Sequence, residues 1–578
     1  MSRIEYAYSK TMWHRWAAIA EKFPEKEAIV HWVAGEEPIR WTYKNLIETA
    51  NNFSVKLYEQ GIRAKDVCAI IMKHNPYFYP MYMGIVGIGA IPSVLAFPNP
   101  RLHPDKFKQG LSGMTKYSGL DVIITQIDLE STLKPFVESG ESTIKQILFP
   151  LEWDLNNSSV DSFEKAREIR ENIKPTDSFL LQHSSGTTGL QKPVVLSHQA
   201  LLDHVTQYGT ALELDDSDKV VSWLPLYHDM GLIGAFQLPL ASGITSIQID
   251  TFEWILAPNL LFEAASDENA TMCWLPNFAY NLMADKIPED EIAGNDLSNF
   301  RMIINASEPI RSESHRKFTE RFSKYNLKPN VLSTLYGMAE VTLALSQNPP
   351  NKPISELIVD RQKLAEGKLQ LADNSTKVKR VCVSSGILIP DTELKIVDEN
   401  RNELDGNSVG EIAVKSISLF DGYKNNPEKT KEVLFDGWYY SGDIGFVYQN
   451  EIYVIGRKKD IIIFAGKNIY PEDIEDVINQ VPNIIQGRVV AFGEENEELG
   501  TEVISIVAET NLTSGQEFHK LKLEIIKAGM SIDVNIYNVY LVPPRWLIKS
   551  SSGKPARKTN KERILAGNDK TIWFEKRN

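Results

Sequence analysis

The stretch HSSGTTGLQKPVVLSH, residues 183–198, sets four hydroxyls (Ser184, Ser185, Thr187, Thr188), two glycines (Gly186, Gly189) and Lys192 between the apolar runs SFLL and PVVL. Backbone N–H groups and hydroxyls can donate to phosphate oxygens, glycine permits close approach, and a lysine adds positive charge. A Walker-type loop needs GxxxxGK[ST] between a strand and a helix. Here Gly189 is followed by Leu190, Gln191, Lys192 and Pro193, so that pattern fails. Both flanks are β-rich, which predicts a long loop joining two strands of a hairpin, with no helix dipole facing the anion. Taken alone, the same composition also describes a solvated surface turn.

The chain that must position this loop has 578 residues, beyond the size of one growing hydrophobic core, so at least two domains are expected. With 43% hydrophobic and 24% charged residues, it has the composition of an ordinary globular protein. A net charge of −14 argues against a protein that coats nucleic-acid phosphates. Cys68, Cys273 and Cys382 are far apart, odd in number and at no metal spacing, which speaks against a disulfide framework and for a reducing cytoplasm. No signal-peptide pattern opens the chain, and residues 81–97 are too short and too interrupted by Gly and Pro to span a bilayer. Residues 44–61 have helical spacing (Leu46, Ala50, Phe53, Leu57) and end at Gly61, and VCAIIMK follows as a buried strand. Helices at 75–89 and 104–117 alternate with the strands IPSVLAF and DVIIT, so the fold class is α/β with a largely parallel sheet. From about 380 to 456, short alternating segments punctuated by Asp405-Gly406 and Asp436-Gly437 predict a small β-barrel-like unit. A mixed α/β tail follows the basic step GRKK.

Seven segments in order, SSGTTGLQKPVVLSH, LPLYHDMG, YGMAE, GEIAVKS with GYKNNPEKT, WYYSGDIG, GRKKDIIIFAGKNIYPEDIE and SSSGKPARK, resemble those of the adenylate-forming enzymes. That superfamily holds the acyl- and aryl-CoA ligases, peptide-synthetase adenylation domains and luciferases. Within it HDMGLIG, CWLPNFAYNLM and NASEPI look most like the fatty acyl-AMP ligases. Glu340 and Asp398 lie 58 positions apart, and the extra stretch at about 350–378 is similar to an insertion these ligases carry against their C-terminal domain. The resemblance implies a large N-terminal domain over 1–456, a hinge at 457–459 and a C-terminal lid over 460–578.

It also implies a reaction. A carboxylate attacks the α-phosphate of ATP, pyrophosphate leaves, and the acyl-adenylate then meets a thiol. The 184–192 loop would hold the β- and γ-phosphates. Lys554 of SSSGK would stabilise charge on the α-phosphoryl oxygens. Glu340 would bind Mg2+ as a hard carboxylate ligand. Tyr336, Gly337, Met338, Ala339, Ala306, Ser307 and Glu308 would form the adenine pocket, and Asp443 with Arg457 would take the ribose. Ala339 stands where most of the superfamily has Thr, which removes one hydroxyl contact, and Thr342 is the candidate to replace it. Lys459 falls at the hinge.

His228 in LPLYHDMG would lie at the mouth of the acyl pocket as a positioning group. Trp223, Leu224, Gly231, Ile233, Asn277, Phe278, Tyr280 and Asn305 belong to stretches without internal charge, as an apolar fatty-acid tunnel requires. The implied acceptor is the phosphopantetheine thiol of an acyl carrier protein, an acidic partner that the basic cluster Arg545, Lys549, Arg557, Lys558, Lys561 and Arg563 could face. Two readings compete: a fatty acyl-CoA ligase, and a non-catalytic nucleotide-binding homologue. Oligomeric state is not legible in the sequence.

Overall fold

Four short runs, Val67–Ile71, Ile91–Val94, Val122–Thr125 and Gln146–Leu148, form one parallel sheet, the first three buried at every position. Strands covered on both faces lose the polar alternation of half-exposed ones. The computed structural model describes residues 3–98, 107, 111–115, 118–138, 142–184, 192–464, 467–496, 501–549, 555–567, 569 and 571–575. Most of the helix expected at 104–117 lies outside them. The neighbouring helices are Tyr43–Glu59, capped by the Thr42 hydroxyl on the Asn45 N–H, and Phe78–Gly87, buried throughout.

The second layer is a nine-stranded sheet whose six inner strands run parallel. In sheet order these are Leu332–Gly337, Met302–Ala306, Met272–Pro276, Lys219–Ser222, Thr245–Ile249 and Glu27–Trp32. Antiparallel strands finish both edges. Loops leaving the carboxyl ends of parallel strands gather on one rim, where ligands of open α/β sheets bind. Trp223, Asn277, Ser307 and Tyr336 all sit at or just beyond such ends.

The strands Ser178–Ser184 and Lys192–Ser197 pair antiparallel, with Ser184 opposite Lys192, so the loop between them is a hairpin loop. A third strand, Gly422–Tyr423, pairs with Val194 and Val195. The β-rich stretch forms a five-stranded antiparallel sheet from Thr392–Val397, Gly410–Ser416, Leu434–Phe435, Trp438–Tyr448 and Glu451–Arg457. Ile452 of its last strand also exchanges backbone hydrogen bonds with Ser385 and Gly386, so the sheet continues past that strand. Asp436 and Gly437 both take positive φ (52° and 74°), the conformation a two-residue hairpin requires.

A separate core of Ile462, Ile474, Val489, Ile504, Ile525 and Val539 lies under the four-stranded sheet Ile484–Asn496, Thr501–Thr510, Ile536–Val542 and Trp573–Phe574. Residues of the expected insertion supply the strand Glu356–Asp360, paired with Lys379–Val383, and the short helix Arg361–Ala365. Asp473 of the helix Pro471–Asn479 bridges Arg361 (3.4 Å) and Arg380 (2.9 Å), and Arg311 pairs with Asp476 of the same helix. Gln362 Nε2 donates to Asp533 Oδ2 (3.1 Å).

Candidate functional site

The phosphate-loop candidates divide at the edge of the described residues. Ser185, Gly186, Thr187, Thr188 and Gly189 lie outside them, as does Lys554; Ser184 ends its strand by pairing with Lys192. The strand that enters the loop is pinned from below. The buried His183 shares hydrogen bonds with the Ser93 (3.0 Å) and Ser118 (2.8 Å) hydroxyls, and burial pushes its pKa down to about 4, so it is neutral at pH 7. Sequence reading missed this anchor, because Ser93 and His183 come together only through tertiary packing.

At the far foot of the loop, Lys192 meets Glu340. Its Nζ lies 3.7 Å from Glu340 Oε1 and donates to the Tyr423 hydroxyl oxygen at 3.1 Å, while Tyr423 donates to the same Glu340 Oε1 at 2.7 Å. Glu340, Tyr423 and the neighbouring Tyr439 are all buried. Glu340 sits in the single turn Ala339–Val341. That turn follows directly from Gly337, where a Cβ would fall 1.7 Å from the Leu343 carbonyl oxygen, so no other residue fits. Thr342, the candidate to replace the missing hydroxyl beside Ala339, does not serve: it is fully buried and donates to the Ser418 carbonyl oxygen (2.7 Å).

No group of three or more His, Cys, Asp or Glu side chains that could hold a metal occurs among the described residues. A Mg2+ ion bound mainly by phosphates and water needs only one or two carboxylates, and a buried Glu340 beside Lys192 fits that donor set.

The nucleotide candidates converge on Asp443. Its Oδ2 accepts from the Tyr336 hydroxyl (2.8 Å) and its Oδ1 lies 3.2 Å from Arg457 Nε, the residue directly opposite on the next strand. Burial first, then the neighbouring Asp443 charge, raise the Tyr336 pKa well above the ordinary phenol range. Arg457 is raised chiefly by Asp443 and stays charged. Ala306 ends its strand, Ser307 takes a positive φ of 69°, and Glu308 Oε2 accepts from the Phe278 N–H at 2.8 Å. Met338 leads into the Glu340 turn and packs against the core. Lys459, in the turn Lys458–Asp460, has its pKa pushed down to about 8 by desolvation and by its neighbours Arg457 and Lys192. The hinge candidate thus feels the charges of the candidate site.

The acyl candidates are less unified. Trp223 stacks flat on Trp254 (3.6 Å between ring centres) and meets Phe278 edge-on, forming an aromatic rim. Leu224 is buried, and Gly231 and Ile233 are buried within Met230–Gln237, a π-helical segment of the kind that often marks functional sites. At Gly231 a Cβ would lie 2.3 Å from the Pro225 carbonyl oxygen, so this glycine lets the helix close onto the preceding turn. His228 belongs to that turn and meets the Tyr227 ring edge-on.

Asn277, Tyr280 and Asn305, expected on the acyl wall, instead form part of a buried structural network. Asn305 Nδ2 donates to Asn277 Oδ1 (3.0 Å) and shares a hydrogen bond with His315 (2.8 Å), Asn277 Nδ2 donates to the Ser314 hydroxyl (3.1 Å), and Tyr280 donates to the Ile303 carbonyl (3.2 Å). Buried amides need such partners, and an Asn inside the apolar strand MIINA was the available signal. A cleft of about 560 Å³ lies between Phe78, Tyr79, Leu95, Leu226, Tyr227 and Phe252. Of the acyl candidates, Leu224 alone lines it.

The basic C-terminal cluster is not a free patch. Arg557 binds Glu475, Glu472 and Asp460, and Arg563 caps the Trp546 carbonyl and stacks on its ring. Burial lowers the Lys549 pKa. No helix among the described residues is long and apolar enough to cross a membrane.

Comparison with known proteins adds the family. The AMP-binding enzyme family model matches residues 16–424. A protein of Mycobacterium tuberculosis named a probable long-chain-fatty-acid–AMP ligase is 28% identical over 90% of this chain and 92% of its own. The 4-hydroxyphenylalkanoate adenylyltransferase of the same species is 28% identical over 86% and 82%. A solved structure from structural and functional studies of fatty acyl-adenylate ligases of E. coli and L. pneumophila has a TM-score of 0.88 at 24% identity, covering 98% of this chain and 99% of that one; it shares the fold. A lysine beside a buried carboxylate, a carboxylate–arginine pair beside a tyrosine, and a family match across most of the chain agree: this protein belongs to the AMP-binding enzyme family, the adenylate-forming ligases.

Proposed function

We propose that the protein activates a fatty acid with ATP and Mg2+ to an acyl-adenylate, releasing pyrophosphate, and passes the acyl group to the phosphopantetheine thiol of an acyl carrier protein. The observation that carries the first half is the convergence of Lys192, Tyr336, Glu340, Asp443 and Arg457, from four separated segments, on one rim. Asp443, held by a hydrogen bond from Tyr336 and an ion pair with Arg457, would accept the ribose hydroxyls. Glu340, with Lys192 beside it, would hold the Mg2+ ion that neutralises phosphate charge when bound. The 184–192 loop would grip the departing pyrophosphate. Lys554 would add positive charge at the α-phosphoryl oxygens, where in-line attack concentrates negative charge. The fatty acid enters already ionised, so no general base is required. His228 and the aromatic rim of Trp223 and Phe278 would orient its carboxylate and first methylenes. A fatty substrate also agrees with the name of the long-chain-fatty-acid–AMP ligase relative.

The acceptor half rests on the bridge from Arg361 and Arg380 to Asp473, which ties the insertion to the C-terminal core. A lid held in this way cannot readily rotate to admit coenzyme A. The competing reading, a fatty acyl-CoA ligase, is separated by incubating the enzyme with ATP, Mg2+, a fatty acid and either coenzyme A or a phosphopantetheinylated carrier protein. Acyl-carrier formation with little acyl-CoA is expected, and rapid acyl-CoA formation would overturn this half.

A further inference from the structure

We propose that Tyr423 is a positioning residue that fixes the Glu340 carboxylate for the metal accompanying ATP. The proposal rests on the reading of Glu340 as that metal's carboxylate, and deepens it.

A phenol hydroxyl has one proton and two lone pairs. At Tyr423 the hydroxyl oxygen accepts from Lys192 Nζ at 3.1 Å, and the neighbouring Glu340 carboxylate oxygen can only accept. Its single proton is therefore directed to Glu340 Oε1, at 2.7 Å. The tyrosine is itself immobilised. Its backbone N–H donates to the Thr430 hydroxyl (2.9 Å), its strand pairs with Val194 beside the phosphate loop, and its ring packs against Phe420. Gly422 before it has a φ of 134°, and a Cβ there would strike Thr430 at 2.9 Å, so the approach of this strand is set by a residue without a side chain.

Glu340 thus has two partners of different permanence. Lys192 is half-exposed and borders the phosphate loop, so its charge can turn to an arriving triphosphate. Tyr423 is buried and neutral and cannot leave. The hydroxyl holds one carboxylate oxygen before and after the nucleotide binds, so the carboxylate need not be ordered when the metal arrives. This is second-layer support of the kind that commonly tunes metal affinity.

The test uses the full-length enzyme and the Tyr423→Phe, Tyr439→Phe and Glu340→Gln variants. Two quantities are read: the Mg2+ concentration giving half-maximal acid-dependent pyrophosphate release, and Mn2+ binding in the presence of ATP without fatty acid, by electron paramagnetic resonance. Losing a hydrogen bond to a charged group predicts that Tyr423→Phe raises both the half-saturating Mg2+ and the Mn2+ dissociation constant roughly tenfold. The fatty-acid KM stays unchanged. Tyr439→Phe, which removes the buried phenol hydroxyl neighbouring Glu340 and Tyr423, shifts both in the same direction by less; it carries the test should Tyr423→Phe fail to fold. Reduced activity with unchanged metal dependence in both tyrosine variants would mean a merely structural role and overturn the proposal. If Glu340→Gln leaves metal dependence unchanged, the Glu340 reading fails, and the proposal with it.

Discussion

Asp443 accepts from Tyr336 on one oxygen and is ion-paired with Arg457 through the other, so its removal strands a buried phenol and a cation at once. Asp443→Ala is expected to weaken ATP and AMP binding at least tenfold by calorimetry, in line with about 1.5–3 kcal/mol for hydrogen bonds to charged groups. Lys554→Ala is expected to act differently. Charge that is needed only in the transition state lowers the chemical rate, by roughly a hundredfold or more, while ATP affinity stays nearly the same. Rapid-quench measurement of pyrophosphate release beside equilibrium binding separates the two. The Tyr336, Glu340 and Asp443 positions were legible because each stands in a short motif whose chemistry its own neighbours suggest. Tyr423 was not, although GYKNNPEKT was noticed: its partners Lys192 and Glu340 are remote in sequence, and an aromatic beside a glycine reads equally well as packing. Asn277 and Asn305 differ the other way, since an apolar neighbourhood suggested a tunnel wall where the structure has hydrogen-bonded amides that leave the Asn305 oxygen without a partner.

The helix Pro471–Asn479 divides its acids by face: Glu472 and Glu475 serve Arg557 within the C-terminal core, whereas Asp473 and Asp476 reach arginines of the N-terminal part. Burial raises the Asp476 pKa to about 6, outweighing the attraction of Arg311. A carboxyl whose pKa is higher when docked than when free takes up a proton on docking. Docking is therefore strengthened as pH falls through about 6 toward the ordinary carboxylate range, and weakened as pH rises through that window. Fluorescence transfer between labels on the two parts should show a more closed lid at pH 5 than at pH 7.5. Asp476→Asn should abolish that dependence; a lid that opens on acidification would refute the assignment. At this scale the strands and helices were largely readable from apolar runs and caps. The π-helical turn at Met230–Gln237 and the pairing of Gly422–Tyr423 with Val194–Val195 were not, because both depend on tertiary neighbours.

Across the whole molecule, parallel strands of one sheet deliver Trp223, Ser307 and Tyr336 to a single rim, the antiparallel unit adds Asp443 and Arg457, and a hairpin brings Lys192 over Glu340. The C-terminal core is separate, joined through arginine–carboxylate bridges and preceded by the turn that carries Lys459. The α/β class and the order of the parts followed from alternating helix and strand patterns. The bridges did not, since ion pairs between remote segments leave no local trace. The central claim is ATP-dependent formation of an acyl-adenylate, and a chain-length panel of fatty acids with ATP and Mg2+, scored for acyl-AMP by mass spectrometry and for pyrophosphate, tests it most directly. Equimolar acyl-AMP and pyrophosphate that depend on the acid, and are lost in Lys554→Ala, are the predicted result; no acyl-AMP with any acid, from folded enzyme that binds ATP, would contradict it.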